Sequence, residues 1–237
     1  MTAFYKRYNQ YIPLGLEKWS DFHAILLFFG TMLAMFFQSM GFFVTISGLS
    51  FSLLILSHIN FLSSYRIFAG LANWLTLTRL LLVMFAILNF QSFSSNILFV
   101  TIAVSMALDV IDGFVARKLS TSSDFGRVFD MEADAFLVTA LGLYFYLTTD
   151  LGVWLLLPGL MRYMYRLTLL VFPKPFYKEC KKNYAAFLAG INFLILLIAI
   201  ILPNPFKNLA LAISASIVLI SFSISYIEYF RHENKET

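Results

Sequence analysis

The sequence predicts an all-α fold, a polytopic bundle of transmembrane helices, on three observations. Hydrophobic residues make up 60% of the chain and charged residues 13%, where a globular domain carries about 25% charged residues; mean hydropathy is +0.80. The apolar residues fall into blocks close to the roughly 20 residues that cross a bilayer, rather than into amphipathic stripes. Short turns carrying Gly, Pro, Asn, Ser or Asp divide the blocks. Inside lipid only helices satisfy their backbone groups segment by segment, so a helix bundle follows. The same features exclude other classes. No continuous basic surface suggests a nucleic-acid partner. Cys180 is the only cysteine, so no internal disulfide or cysteine-metal framework exists.

Eight spans are expected. Tyr5, Tyr8, Tyr11 and Trp19 beside Lys6 and Arg7 read as an amphipathic interfacial anchor. The first span, 22–38, is too long for a removable signal peptide and lacks its small-residue cleavage site. It ends at the turn Gln38–Gly41, and the second span covers 41–58. The third, 70–91, carries Arg79 and closes at Gln91–Asn96 before the fourth, 95–116. The segment Lys118–Phe125, rich in Ser, Thr and Asp, suits a tight turn with the N-cap of the fifth span, 126–147, and Asp124 reads as that cap. The sixth, 151–172, contains Arg162 and Arg166; the seventh and eighth, 184–202 and 208–229, flank the turn Pro203–Lys207.

Eight crossings place both termini on one side. Lys6, Arg7, Lys18, Arg66, Arg117, Lys118, Arg127, Lys174, Lys178, Lys181, Lys182, Arg231 and Lys235 all fall there, and Lys207 alone falls opposite. The positive-inside rule makes the rich side cytoplasmic. The expected location is the bacterial inner membrane, and the basic excess also draws anionic lipid headgroups.

Six of the thirteen acidic residues lie between Asp109 and Asp134. Acids concentrated inside an apolar chain mark a functional site. Asp109, Asp112 and Ala116 share a helix face by offsets of three and seven, and Gly126, Asp130 and Asp134 follow an i, i+4, i+8 ridge on the next span. The two spans are expected to be antiparallel neighbours whose four carboxylates converge just inside the cytoplasmic face. Four carboxylates together repel unless divalent cations neutralise them, and hard oxygen ligands point to two Mg²⁺ or Mn²⁺ ions. Gly113 and Ala116 leave the helix wall bare, and Arg117 offers a fork to phosphate. Glu132, two positions from each neighbouring aspartate, points away and reads as a solvated or interhelical polar group.

The pattern D-x₂-D-G-x₂-A-R-x₈-G-x₃-D-x₃-D, satisfied by Asp109, Asp112, Gly113, Ala116, Arg117, Gly126, Asp130 and Asp134, resembles the signature of the CDP-alcohol phosphotransferases. Upstream, Asn73 to Arg79 is similar to the N-x-L-T-x-x-R segment that opens that family's core. The resemblance makes 59–232 the six-helix core, with an interfacial helix near 59–69, and leaves 1–58 as an N-terminal segment with two extra spans. It implies metal-dependent transfer of a phosphatidyl group from CDP-diacylglycerol to a small alcohol, with release of CMP. Asp109, Asp112, Asp130 and Asp134 would hold two divalent ions, and Asp134 would also take the proton of the attacking hydroxyl. Asn73, Thr76, Asp112, Gly113, Ala116, Arg117 and Gly126 would face the nucleotide donor. Homodimers are common in the family.

Arg162 and Arg166 sit within an apolar block and need anionic partners, since arginine at mid-bilayer costs roughly 2.5–3.5 kcal/mol. They snorkel towards the interface, pair with a motif carboxylate inside the bundle or, with Lys174 and Arg79, hold a phosphate-bearing acceptor. Arginine at position 79 resembles the phosphatidylglycerophosphate synthase branch and favours glycerol 3-phosphate; inositol phosphate, serine and other alcohols are alternatives. A proton- or cation-coupled transporter is the rival class. It is disfavoured because the chain shows no internal repeat and its acids cluster at one membrane face.

Overall fold

The computed structural model describes residues 14–57, 71–119, 123–172 and 183–231, and these form helices with no strand among them. In chain order the elements are α1 (Leu14–Phe36), α2 (Met40–Ser57), α3 (Leu71–Leu88), α4 (Ser95–Leu119), α5 (Asp124–Thr148), a 3₁₀ turn (Val153–Leu156), α6 (Leu157–Val171), α7 (Asn183–Ala199) and α8 (Phe206–Arg231). Each of the eight apolar blocks has become one helix. Three helical stretches, Gly15–Phe36, Met40–Ser57 and Phe206–Arg231, are long and apolar enough to cross a membrane. Large apolar side chains also face outward, among them Phe36, Val110 and Phe187, as a hydrocarbon surround permits.

Local chemistry explains the boundaries. At the α1–α2 turn Gln38 adopts φ 51°, a conformation non-glycine residues rarely take. α5 is capped by Ser123, whose hydroxyl accepts from the Gly126 N–H at 3.0 Å. Asp124, expected to be the cap, instead opens the first turn, where a carboxylate favours the helix dipole, and pairs with Arg127 at 3.3 Å. Beyond Thr148 the chain reverses through Gly152 at φ 91°, which glycine adopts without a side-chain clash. The 3₁₀ turn then runs into α6, with Pro158 in its first turn.

α5 is the central helix, buried along most of its length and packed against α1, α2, α3, α6 and α7. The hairpins α1–α2, α3–α4 and α7–α8 surround it. Phe43 of α2 stacks on Phe136 of α5 at 5.2 Å between ring centroids, and Phe51 sets its edge to Phe129 at 5.8 Å. α6 reaches α5 closely because Gly159 lacks a side chain: a Cβ there would lie 2.4 Å from the Cα of Thr139.

Two expectations change. α4 and α5 do not pack directly on each other among the described residues; each packs on α3 and α7. α3 lies between the two acid-bearing helices because it carries the arginine that both need. Trp19, expected in an interfacial anchor, is buried at 8% exposure and stacked on His23 at 4.6 Å. Its indole N–H donates to the Ser50 carbonyl at 3.0 Å, so it joins α1 to α2. Tyr5, Tyr8, Tyr11 and the expected interfacial segment 59–69 lie outside the described residues.

Candidate active site

Three helices meet at one charged cluster. Asp109 comes from α4, Asp130 and Asp134 from successive turns of α5, and Arg79 from α3. Arg79 is 3% exposed. Its guanidinium is bonded to Asp109, to Asp130 at 2.7 Å and to Asp134 at 3.0 Å. The planar fork of arginine suits this task, because its N–H groups diverge to several carboxylates at once. One ligand oxygen from each aspartate lies within 4.8 Å of the others.

That cluster fits a divalent metal. Three carboxylates against one guanidinium leave a formal charge of minus two on these four side chains. Hard oxygen donors are what Mg²⁺ and Mn²⁺ prefer, and oxygens opposed across Mg²⁺ lie about 4.2 Å apart given bonds of about 2.1 Å. A spread of 4.8 Å closes to that with small side-chain rotations. Asp109, Asp130 and Asp134 would hold the ion. Asp112, Gly113, Ala116 and Arg117 lie on the helical backbone of α4, but their side chains are outside the described residues, as is Lys174.

The expected donor-binding residues on α3 sit beside the cluster. Asn73 and Thr76 are buried, at 6% and 4% exposure, six and three residues before Arg79 on the same helix. Gly126 makes room for Asn73: a Cβ on Gly126 would fall 2.6 Å from the Asn73 carboxamide oxygen. The motif glycine, expected to face the nucleotide, serves here a contact between α3 and α5.

A cavity of about 260 Å³ opens on the other side of Asp134, between α5, α6, α7 and α8. Arg162, Asn192 and Ser221 give its wall polar points among Val138, Phe193 and Phe222. Among the described residues, Arg162 alone of the expected acceptor-binding cations lines it. Arg79 is engaged by the aspartates, and Arg166 pairs with Asp21 of α1 at 2.6 Å. Arg162 donates to Glu132 at 3.0 Å. Glu132 is 1% exposed and accepts from Ser20 of α1 at 2.7 Å, so its polar role is interhelical. Ser20, Asp21 and Glu132 were not expected at the site. Their partners are distant in the chain, so spacing did not reveal the pairs. The signal that pointed to them was the unsolved charge of Arg162 and Arg166.

Against known families, the CDP-alcohol phosphatidyltransferase model matches residues 69–224. No curated protein and no solved structure matches the chain. The matched stretch runs from just before α3 into α8; it holds Arg79 and every motif aspartate, and leaves α1 and α2 outside.

Proposed function

Since the chain belongs to the CDP-alcohol phosphatidyltransferase family, an enzyme family whose members transfer a phosphatidyl group from a CDP-linked donor, we propose that it moves that group from CDP-diacylglycerol to a small alcohol at the cytoplasmic face of an eight-span bundle. The observation that carries this reading is the aspartate triad on two helices, tied together by a buried arginine from a third. Divalent ions, Mg²⁺ or Mn²⁺, would neutralise the donor's pyrophosphate and acidify the acceptor hydroxyl.

The protein's own groups do the rest by position. Asn73 and Thr76, buried polar side chains on the helix that carries Arg79, are suited to the cytidine end. Asp134 borders both the triad and the cavity. It takes the acceptor's proton as the acceptor oxygen bonds to the lipid-side phosphorus and the bond from that phosphorus to CMP breaks. Such phosphoryl transfer needs charge neutralisation and alignment more than covalent help. The cavity holds the acceptor, and Arg162 supplies its cationic contact, which favours a phosphate-bearing alcohol, glycerol 3-phosphate first.

The test is CMP release by purified protein given CDP-diacylglycerol, Mg²⁺ or Mn²⁺, and in turn glycerol 3-phosphate, inositol phosphate and serine. Release with glycerol 3-phosphate that stops on chelation is expected. Release with serine alone would reject the phosphate-bearing acceptor and keep the reaction class. Undiminished turnover in chelator would reject the metal.

A further inference from the structure

The two helices outside the matched stretch also determine how the cavity's arginine is held. Oε1 of Glu132 accepts from both the Ser20 hydroxyl, at 2.7 Å, and Nη2 of Arg162, at 3.0 Å. One turn further along α6, Arg166 meets Asp21 through Nε at 2.6 Å and donates to the Glu17 carbonyl at 3.3 Å. α1 is fixed in turn by α2, where Ser50 accepts from Trp19 through its carbonyl and bonds His23 Nδ1 through its hydroxyl at 2.7 Å. A chain of bonded groups thus runs from α2 through α1 to Glu132 and ends on Arg162, at the wall of the cavity that contains Asp134.

Arginine inside an apolar bundle is drawn towards the nearest water along its flexible stem. A buried carboxylate opposes that drift. Its own direction has to be set by a second donor, because one hydrogen bond leaves a carboxylate free to rotate. Ser20 is that donor. A guanidinium carries five N–H groups and can serve several partners at once. We propose that Ser20 and Glu132 are positioning residues: through them the N-terminal helix pair aims Arg162 into the cavity beside Asp134 and so sets the enzyme's grip on its acceptor. This rests on the acceptor reading above.

The test is a double-mutant cycle on the full-length protein in detergent, with CDP-diacylglycerol saturating and glycerol 3-phosphate varied. Ser20→Ala should raise the acceptor KM roughly three- to tenfold, as expected for one hydrogen bond. It should leave kcat and the donor KM within about twofold, and Ser20→Thr should restore the acceptor KM. In an Arg162→Gln background the same serine change should have almost no effect, because its route to the acceptor is gone. An equal factor in both backgrounds, or a loss of kcat and donor affinity that follows the melting temperature, would mean that Ser20 only staples helices, and the proposal fails. If Ser20→Ala does not fold, Ser20→Cys keeps the volume while weakening the donor and decides the same comparison. If Arg162→Gln is too slow to assay, Arg162→Lys removes the fork and takes its place. Should glycerol 3-phosphate not be turned over, the acceptor reading is rejected, and the cycle is run with whichever alcohol releases CMP.

Discussion

Arg79 is the residue on which the site's electrostatics turn. It is the shared counter-charge of Asp109, Asp130 and Asp134, and removing a buried partner from such a group leaves charge uncompensated. Arg79→Gln is expected to lower stability in chelator by about 3 kcal/mol, the low end for a broken buried pair because the aspartates are partly exposed. Added Mn²⁺ should then raise the melting temperature more than it does in the wild type, since the ion takes over the neutralisation. Equal metal-induced shifts in both proteins would disprove that the guanidinium and the ion answer the same charge. Asp134→Asn separates two duties. An amide oxygen still touches a cation but takes no proton, so the single-turnover rate should fall about 10²- to 10⁴-fold while CDP-lipid affinity falls far less. Parallel losses would make Asp134 chiefly a ligand.

At the level of helices, the tight approach of α6 to α5 is testable at one atom. Gly159→Ala forces a methyl group to within 2.4 Å of the Thr139 backbone, an overpacking that costs about 1–3 kcal/mol. It should lower the melting temperature visibly. Gly190→Ala on α7, where a Cβ meets nothing within 4 Å, should be neutral; similar losses in both would remove the packing explanation. The number and order of helices were legible because lipid solubility demands long apolar runs. Their ends were less so: α1 begins at Leu14 rather than at 22, because Glu17, Lys18 and Asp21 interrupt hydropathy without interrupting backbone hydrogen bonds. The meeting of Asp109, Asp130 and Asp134 was legible from spacing along two consecutive spans. That α3 would come between those spans was not, since spacing records which face a residue takes and not which helix meets that face. The Ser20–Glu132–Arg162 chain escaped notice for the same reason.

For the whole molecule, orientation is the open quantity, and the single cysteine measures it. Cys180 belongs to the lysine-rich sequence that follows the sixth expected span, on the side expected to face the cytoplasm. A membrane-impermeant maleimide should label it in inside-out vesicles and not in right-side-out ones; the reverse pattern would invert the topology and place the aspartate cluster outside. The reach of α1 across the sequence has a further consequence, for biogenesis. Ser20 and Glu132 are 112 residues apart, and Glu17 and Arg166 are 149 apart, whereas Glu132 and Arg162 are separated by 30. As the ribosome delivers the chain, α1 can meet its partner Ser50 on α2 early, but it precedes by far the groups of α5 and α6 that bond it. The α5–α6 hairpin can pair its own acid and base first, and α1 must then dock from the side onto that finished pair. Until then Asp21 waits without Arg166, so nascent chains halted before α6 hold an acid near the membrane without the guanidinium that meets it in the finished fold.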